Sequence, residues 1–324
     1  MILTQLCKIL GVENPVINAP MSGSATSQLA AAVSNAGGFG MLGMGRVIPD
    51  PDCLRSEIRK TRQLTDNPFG VGFISSAPGV EKLVDVALEE GVTAIGHSFA
   101  DPSQYIGAAK QAGVKTIVQI QTLNQARHAR DLGVDIIVAQ GTEAGGHTGY
   151  IGTLSLVPAV VDECPGVPIV ASGGIGDGRG LAAALVLGAC GVWLGTRFVA
   201  SEECSGSDWI KDAVVNSGTD DTVLTKVYDL VNNSPFPKTI GDRVLRNEFT
   251  DKWNKRDDDV VGNREDIAKE LHVAMESGDL SIAPVRAGSA SGLIAAIEPA
   301  AMIINRIIDD AERILKTVAL SEIP

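Results

Sequence analysis

Hydrophobic positions along the chain fall into two alternating rhythms. Short apolar, β-branched runs occur at residues 15–19, 39–42, 69–74, 92–95, 115–120, 135–139, 167–171 and 191–194. Such runs read as strands buried on both faces of a parallel sheet. Between them lie segments of helical periodicity. Leu29, Val33 and Ala36 share one side of a helix for which Thr26 is the candidate cap, and Gly37-Gly38 stops it. Residues 51–64 follow Asp50, with Pro51 at a permitted first position. Val80, Leu83, Val84, Ala87 and Leu88 form a stripe. Further helices are expected at 103–112, 124–132, 153–161 and 178–187. Strand–helix alternation repeated through eight strands predicts a (β/α)8 TIM barrel, an α/β fold. The alternative is a doubly wound open sheet. The strand count favours the barrel, and so does the placing of Gly-rich loops after strands. A dinucleotide fingerprint would need G-x-G-x-x-G after the first strand, and Pro20-Met21-Ser22-Gly23-Ser24 does not match it.

The pattern changes after the eighth strand. Residues 205–279 are rich in Asp, Asn and Lys and include Trp209 and Trp253. They read as short helices and loops, such as 265–276, and the charge run 252–259 reads as a solvated face. Barrel character returns from Ala287, and Ile303, Ile304, Ile307, Ile308, Ala311 and Leu315 predict an amphipathic closing helix after Pro299. The expected organisation is a barrel built from 1–204 and 285–324, with a small helical substrate or lid insertion at 205–284.

Composition narrows the class. Of 324 residues, 44% are hydrophobic, only 4% are aromatic and 36 are glycines, which suits many tight strand–helix turns. A formal charge of −12 without an offsetting basic patch argues against nucleic acid as a partner. The five cysteines are scattered, which fits a reducing compartment better than disulfides or zinc. The N-terminus has no long apolar signal region, no apolar run reaches the roughly 18 residues of a membrane span, and Ser321-Glu322-Ile323-Pro324 is no recognisable address. A cytoplasmic protein without membrane partners is expected.

Chemistry concentrates in Gln140-Gly141-Thr142-Glu143-Ala144-Gly145-Gly146-His147-Thr148-Gly149, which follows the sixth strand. Its glycines let backbone approach a flat or charged ligand, and its histidine titrates near neutral pH. The plain alternative is a tight connection with a locally capping histidine. Two more loops follow consecutive strands, Ser172-Gly173-Gly174-Ile175-Gly176-Asp177 and Gly195-Thr196-Arg197. Their backbone N–H groups suit a phosphate, in the position where barrels often bind one. Asp177 and Arg179 read as local cap and ion pair. His97, ending a strand, faces either the barrel mouth or the core, and His128 and His272 sit on helix surfaces. No His, Asp or Glu set has metal-ligand spacing.

These motifs together carry a resemblance. Asn18-Ala19-Pro20-Met21, Ser34-Asn35-Ala36-Gly37-Gly38, Asn67-Pro68-Phe69-Gly70-Val71, the 140–149 and 172–180 loops and Gly195-Thr196-Arg197-Phe198 occur in this order. In this the chain resembles the nitronate monooxygenase family, formerly 2-nitropropane dioxygenases, a group that includes NADH:quinone reductases and flavin-dependent enoyl-acyl-carrier-protein reductases. The resemblance covers residues 10–200 well and 287–293 loosely. It implies a barrel holding non-covalent FMN, with the phosphate on Gly173, Gly174, Gly195 and Thr196. It implies further that Ala19, Met21, Gln119, Gln140 and Ser172 touch the cofactor from strand ends, that Gly145 and Gly146 lie against the ring, and that His147 is the active-site histidine. Gly72 falls among the implied cofactor positions, where relatives commonly carry an asparagine that approaches the flavin; glycine leaves that contact to water or another group.

The implied reaction is oxidation of an alkyl nitronate with dioxygen to a carbonyl compound and nitrite. His147 would hold the nitro oxygens or, with a neutral nitroalkane, remove the α-proton. The alternative is an NAD(P)H-dependent FMN reductase of quinones or enoyl thioesters. A non-enzymatic flavin- or phosphate-binding barrel is a third reading, against which His147 speaks. The oligomeric state is left open, a homodimer included.

Overall fold

A computed structural model describes residues 2–44, 50–234, 236–237 and 239–320. The C-terminal tetrapeptide considered above lies outside the described residues. Eight parallel strands form the barrel: β1 (Val16–Asn18), β2 (Gly40–Met44), β3 (Phe69–Ile74), β4 (Ala94–Ser98), β5 (Lys115–Ile120), β6 (Ile136–Gln140) and, after a further short strand β7 (Gly146–Thr148), β8 (Ile169–Ser172) and β9 (Gly191–Leu194). Hydrogen-bonded neighbours run β1-β9-β8-β6-β5-β4-β3-β2. The fold is therefore the TIM barrel that the periodicity predicts.

Closure between β1 and β2 rests on few contacts. The backbone supplies an isolated bridge, Ile17 to Phe39. The next rung is made by a side chain: the Asn18 amide donates to Met41 O at 2.9 Å and accepts from Met41 N at 2.8 Å.

Alternate strand residues feed two cores, as period-2 geometry requires. Ile17, Met41, Ile117, Val138 and Trp193 fill the barrel interior with Leu6 and Leu10. Those two leucines belong to the helix Gln5–Leu10, which plugs the bottom of the barrel. Outward residues such as Val118, Ile137 and Leu194 pack with Leu181, Ile304 and Ile307 under the helices. The helix Pro51–Leu64 is capped by Asp50, which accepts from Asp52 N at 3.0 Å. Thr26 precedes the helix Ser27–Asn35 as expected but makes no side-chain cap; its hydroxyl instead lies 2.5 Å from Ser205 Oγ. The closing helix Ala300–Leu320 packs on Gly178–Val186 so closely that a Cβ at Gly178 would sit 2.5 Å from Asp310 Cβ.

The insertion is more than the expected helices and loops. Strands β10 (Thr222–Thr225) and β11 (Gly241–Leu245) pair antiparallel, and β11 pairs antiparallel with β7. Thus β7, inside the Gly-rich stretch after β6, belongs to a small second sheet shared with the insertion. A separate core of Tyr228, Val244, Phe249, Trp253, Ile267 and Leu271 supports that sheet. The charge run 252–259 is a solvated face only in part. Trp253 is buried, and Lys252 and Arg256 lie over its ring at 4.7 and 5.1 Å. Among the described residues no helix is long and apolar enough to cross a membrane.

Candidate active site

The C-terminal strand ends and the loops after them enclose one cavity of about 250 Å³. Ala19 and Met21 reach it from β1, Gln119 from β5, and Gln140 from β6. Ser172, Gly173 and Gly174 reach it from β8, and Gly195 and Thr196 from β9. Gly145, Gly146 and His147 complete the wall. Gly72 is the exception, because it does not line the cavity. The Pro20 ring occupies the space above it, and a Cβ on Gly72 would lie 2.2 Å from Pro20 Cγ. An asparagine here would need Pro20 to move.

The glycine pair after β8 is conformationally obligatory. Gly173 and Gly174 have φ of +101° and +72°, a region that L side chains rarely adopt. A Cβ on Gly173 would also approach Gly141 O to 2.8 Å. Neighbouring loops interlock around this cradle. Glu143 accepts from Thr153 N at 2.9 Å and from Thr153 Oγ1 at 2.9 Å, so it is a structural clamp. Thr196 Oγ1 accepts from Gly288 N at 2.9 Å, and Ser289 N donates to Glu143 O at 2.9 Å. The stretch 284–290 therefore contributes to the site through Pro284, Arg286, Gly288 and Ala290. Arg197 does not face the cavity. It is buried and donates to Ala200 O and Ala296 O, which fixes the loop behind Gly195.

Gln140 has both ends of its amide engaged. Nε2 donates to His147 O at 3.1 Å, and Oε1 accepts from Gln121 at 2.9 Å. It therefore positions the histidine strand as well as lining the cavity. His147 sits in β7 opposite Asp242 of β11. Its Nε2 lies 2.9 and 3.0 Å from the two oxygens of Asp229. Phe236 stacks on the imidazole at 3.4 Å between ring centres, and Phe99 meets it edge-on at 6.0 Å. Phe99 holds φ of +68°, an uncommon state for a bulky residue and one that collects at functional sites. Asp242 is fully buried and ion-paired at 2.7 Å with Arg286 Nη2, although the pair is not aligned as a hydrogen bond.

His147, Asp229 and Asp242 place one ligand atom each within 4.8 Å of one another, close enough for a metal. Sequence spacing could not reveal this set, since its members come from three separate segments. The cation beside Asp242 is the Arg286 guanidinium, and Asp229 is engaged by the imidazole.

The other histidines are elsewhere. His97 is a core residue: Ser75 Oγ is 2.9 Å from Nδ1, Tyr105 stacks on the ring at 4.9 Å, and burial pushes its pKa down to about 4. His128 and His272 are surface residues beside Asp101 and Glu276. Asp177 caps the helix Gly178–Val186 and pairs with Arg179, as expected. Asp229, Asp242, Phe236, Phe99 and Arg286 are absent from the residues that the motifs point to. Their one sequence signal is faint: Phe236 is an aromatic set beside the turn residues Asn232, Asn233 and Ser234.

The profile of the nitronate monooxygenase family matches residues 3–310. Over 251 residues the chain is 37% identical to the (3aS,4S,5R,7aS)-5-hydroxy-7a-methyl-1-oxo-octahydro-1H-indene-4-carboxyl-CoA dehydrogenase of Mycobacterium tuberculosis, a match that covers 77% of this chain and 68% of that protein. It is 36% identical over 304 residues to a probable nitronate monooxygenase of Staphylococcus saprophyticus, covering 79% and 82%. Among solved structures, FabK from Thermotoga maritima superposes with a TM-score of 0.89 at 35% identity, over 98% of this chain and 99% of that one.

Proposed function

The chain belongs to the nitronate monooxygenase family, whose members are flavin-dependent oxidoreductases, and from that premise we propose an FMN-dependent nitronate monooxygenase. In this reading an alkyl nitronate or nitroalkane and dioxygen are the substrates, and a carbonyl compound and nitrite are the products. The observation that carries it is His147, which lines the cavity packed against Phe99 and Phe236, with Ile210 and Pro284 as further apolar lining.

The cavity suits FMN. Gly173 and Gly174 expose backbone where side chains would intrude, and with Gly195 and Thr196 they would hold its phosphate. Bound there, FMN supplies the electron acceptor beside the substrate. The chain's own residues account for the rest. The aromatic wall takes the alkyl group and excludes water. As the imidazolium, which carries a hydrogen on both ring nitrogens, His147 donates to the nitro oxygens by a charge-assisted bond. With the neutral nitroalkane it is the base for the α-proton, a role worth about 10²–10⁴-fold.

A second reading, an NAD(P)H-dependent reductase of enoyl thioesters or quinones, is favoured by the carboxyl-CoA name of one relative and the full-length match to FabK. One experiment separates them. The purified protein should be yellow, release about one FMN per chain in acid, and have its flavin reduced anaerobically by propyl-2-nitronate but not by NADH or NADPH. Rapid bleaching by a nicotinamide alone would replace the first reading with the second. A protein that takes up no FMN would remove both.

A further inference from the structure

The insertion places a carboxylate on the histidine that faces the cavity. We infer that Asp229 is a positioning residue that keeps the His147 proton on Nε2 and thereby makes Nδ1 the atom that exchanges a proton with substrate. This rests on the reading of His147 as the substrate-facing group.

Both Asp229 oxygens lie within 3.0 Å of Nε2. An ionised carboxylate only accepts, so Nε2 carries the hydrogen, and the lone pair of the neutral ring is left on Nδ1. The rest of the residue is held as firmly. Its backbone is in the β7–β11 ladder, and its carbonyl takes the Gln140 amide. Phe236 covers one ring face.

Asp229 is itself fixed from behind. It lies on the helix Val227–Asn232, whose Val227, Tyr228 and Val231 are buried in the insertion core. Tyr228 also donates to Ile282 O at 2.9 Å. The other charged groups at this point are Asp242 and Arg286. They answer each other at 2.7 Å, which leaves one carboxylate for the imidazole.

With a neutral nitroalkane the step is a proton transfer. The α C–H bond breaks, its electron pair moves onto the nitro group to give the nitronate, and the proton forms an N–H bond at Nδ1. The resulting imidazolium keeps its Nε2–H on Asp229. No oxidant takes part.

The test is Asp229→Asn, with Asp229→Glu as the conservative partner, in the FMN-loaded protein. Four histidines make ¹⁵N imidazole spectra tractable, and the His147 signal is identified by its loss in His147→Asn. At a pH of about 9, above the ordinary imidazole range, wild type should show His147 in the Nε2–H form alone, and Asp229→Asn should show a mixture of tautomers. Turnover of nitroethane should fall by about 10–100-fold in Asp229→Asn, as for loss of a histidine's supporting carboxylate. Ethylnitronate, which needs no base, should lose far less, and Asp229→Glu should recover part of the nitroethane activity. Nδ1–H as the wild-type form would overturn the inference. So would an unchanged tautomer in Asp229→Asn with unchanged nitroethane turnover. If wild type turns over neither nitro compound, the proposed function fails, while the wild-type spectrum still decides the role of Asp229.

Discussion

Two histidines on strands illustrate how position alone sets chemistry. His147 is reached from the cavity and engaged by a carboxylate, whereas His97 is enclosed by Phe73, Tyr105 and Ser75. With its pKa pushed down to about 4, His97 stays neutral in the fold under conditions where an exposed histidine would be charged. The sign of the consequence follows from which state binds protons first. Above the ordinary value of 6.5 both states are neutral and folding is not penalised. As pH falls from there toward 4 the unfolded chain takes the proton first, so stability falls. The loss sums to about 3 kcal/mol at 1.36 kcal/mol per unit. Urea midpoints of wild type and His97→Gln, measured between pH 7.5 and 4.5, should therefore converge on acidification, with wild type falling the more steeply. Parallel curves would show that His97 is not what titrates.

At the level of single elements, the barrel seam is the exposed point. β1 is three residues long and meets β2 through one backbone bridge and the Asn18 amide. Asn18→Leu keeps the volume but leaves both Met41 backbone groups without partners in a buried place. Unpaired buried groups cost about 1–3 kcal/mol each, so a loss of roughly 2–6 kcal/mol is expected in urea unfolding. A loss below about 1 kcal/mol would mean that water replaces the amide. Most barrel strands and helices were legible as elements because each has its own period: Phe69–Ile74, Lys115–Ile120 and Gly191–Leu194 have the bounds expected from pattern alone. β7 and β11 were not legible. Gly146–Thr148 is too short and glycine-rich to carry a pattern, and it is a strand because Gly241–Leu245 lies beside it.

Across the whole molecule, the insertion and the barrel share the site through β7, Asp229 and Phe236. Loosening the insertion should therefore impair chemistry without emptying the barrel. Phe249 is buried against Tyr228, the neighbour of Asp229 in sequence, with ring centres 5.2 Å apart. Phe249→Ala should cost about 3–5 kcal/mol locally. Hydrogen exchange should show lost protection at residues 222–271 with barrel strands unchanged. FMN should be retained, and nitroethane turnover should fall as in Asp229→Asn. Simultaneous loss of barrel protection and FMN would show that the two parts unfold as one unit.

The sequence by itself determined the barrel, the cavity-lining glycines and His147, because period, turn chemistry and short motifs are local properties of the chain. Gly173 and Gly174 needed no partner to be read, since their use lies in backbone conformation. Only the tertiary structure decided that Gly72 is closed off by Pro20, that His97 is core, and that His147 has a carboxylate. The physical reason is distance along the chain. Asp229 is 82 residues from His147, on a helix whose placing follows from the insertion's own packing, and no local pattern encodes which side chain such packing brings to a ring nitrogen.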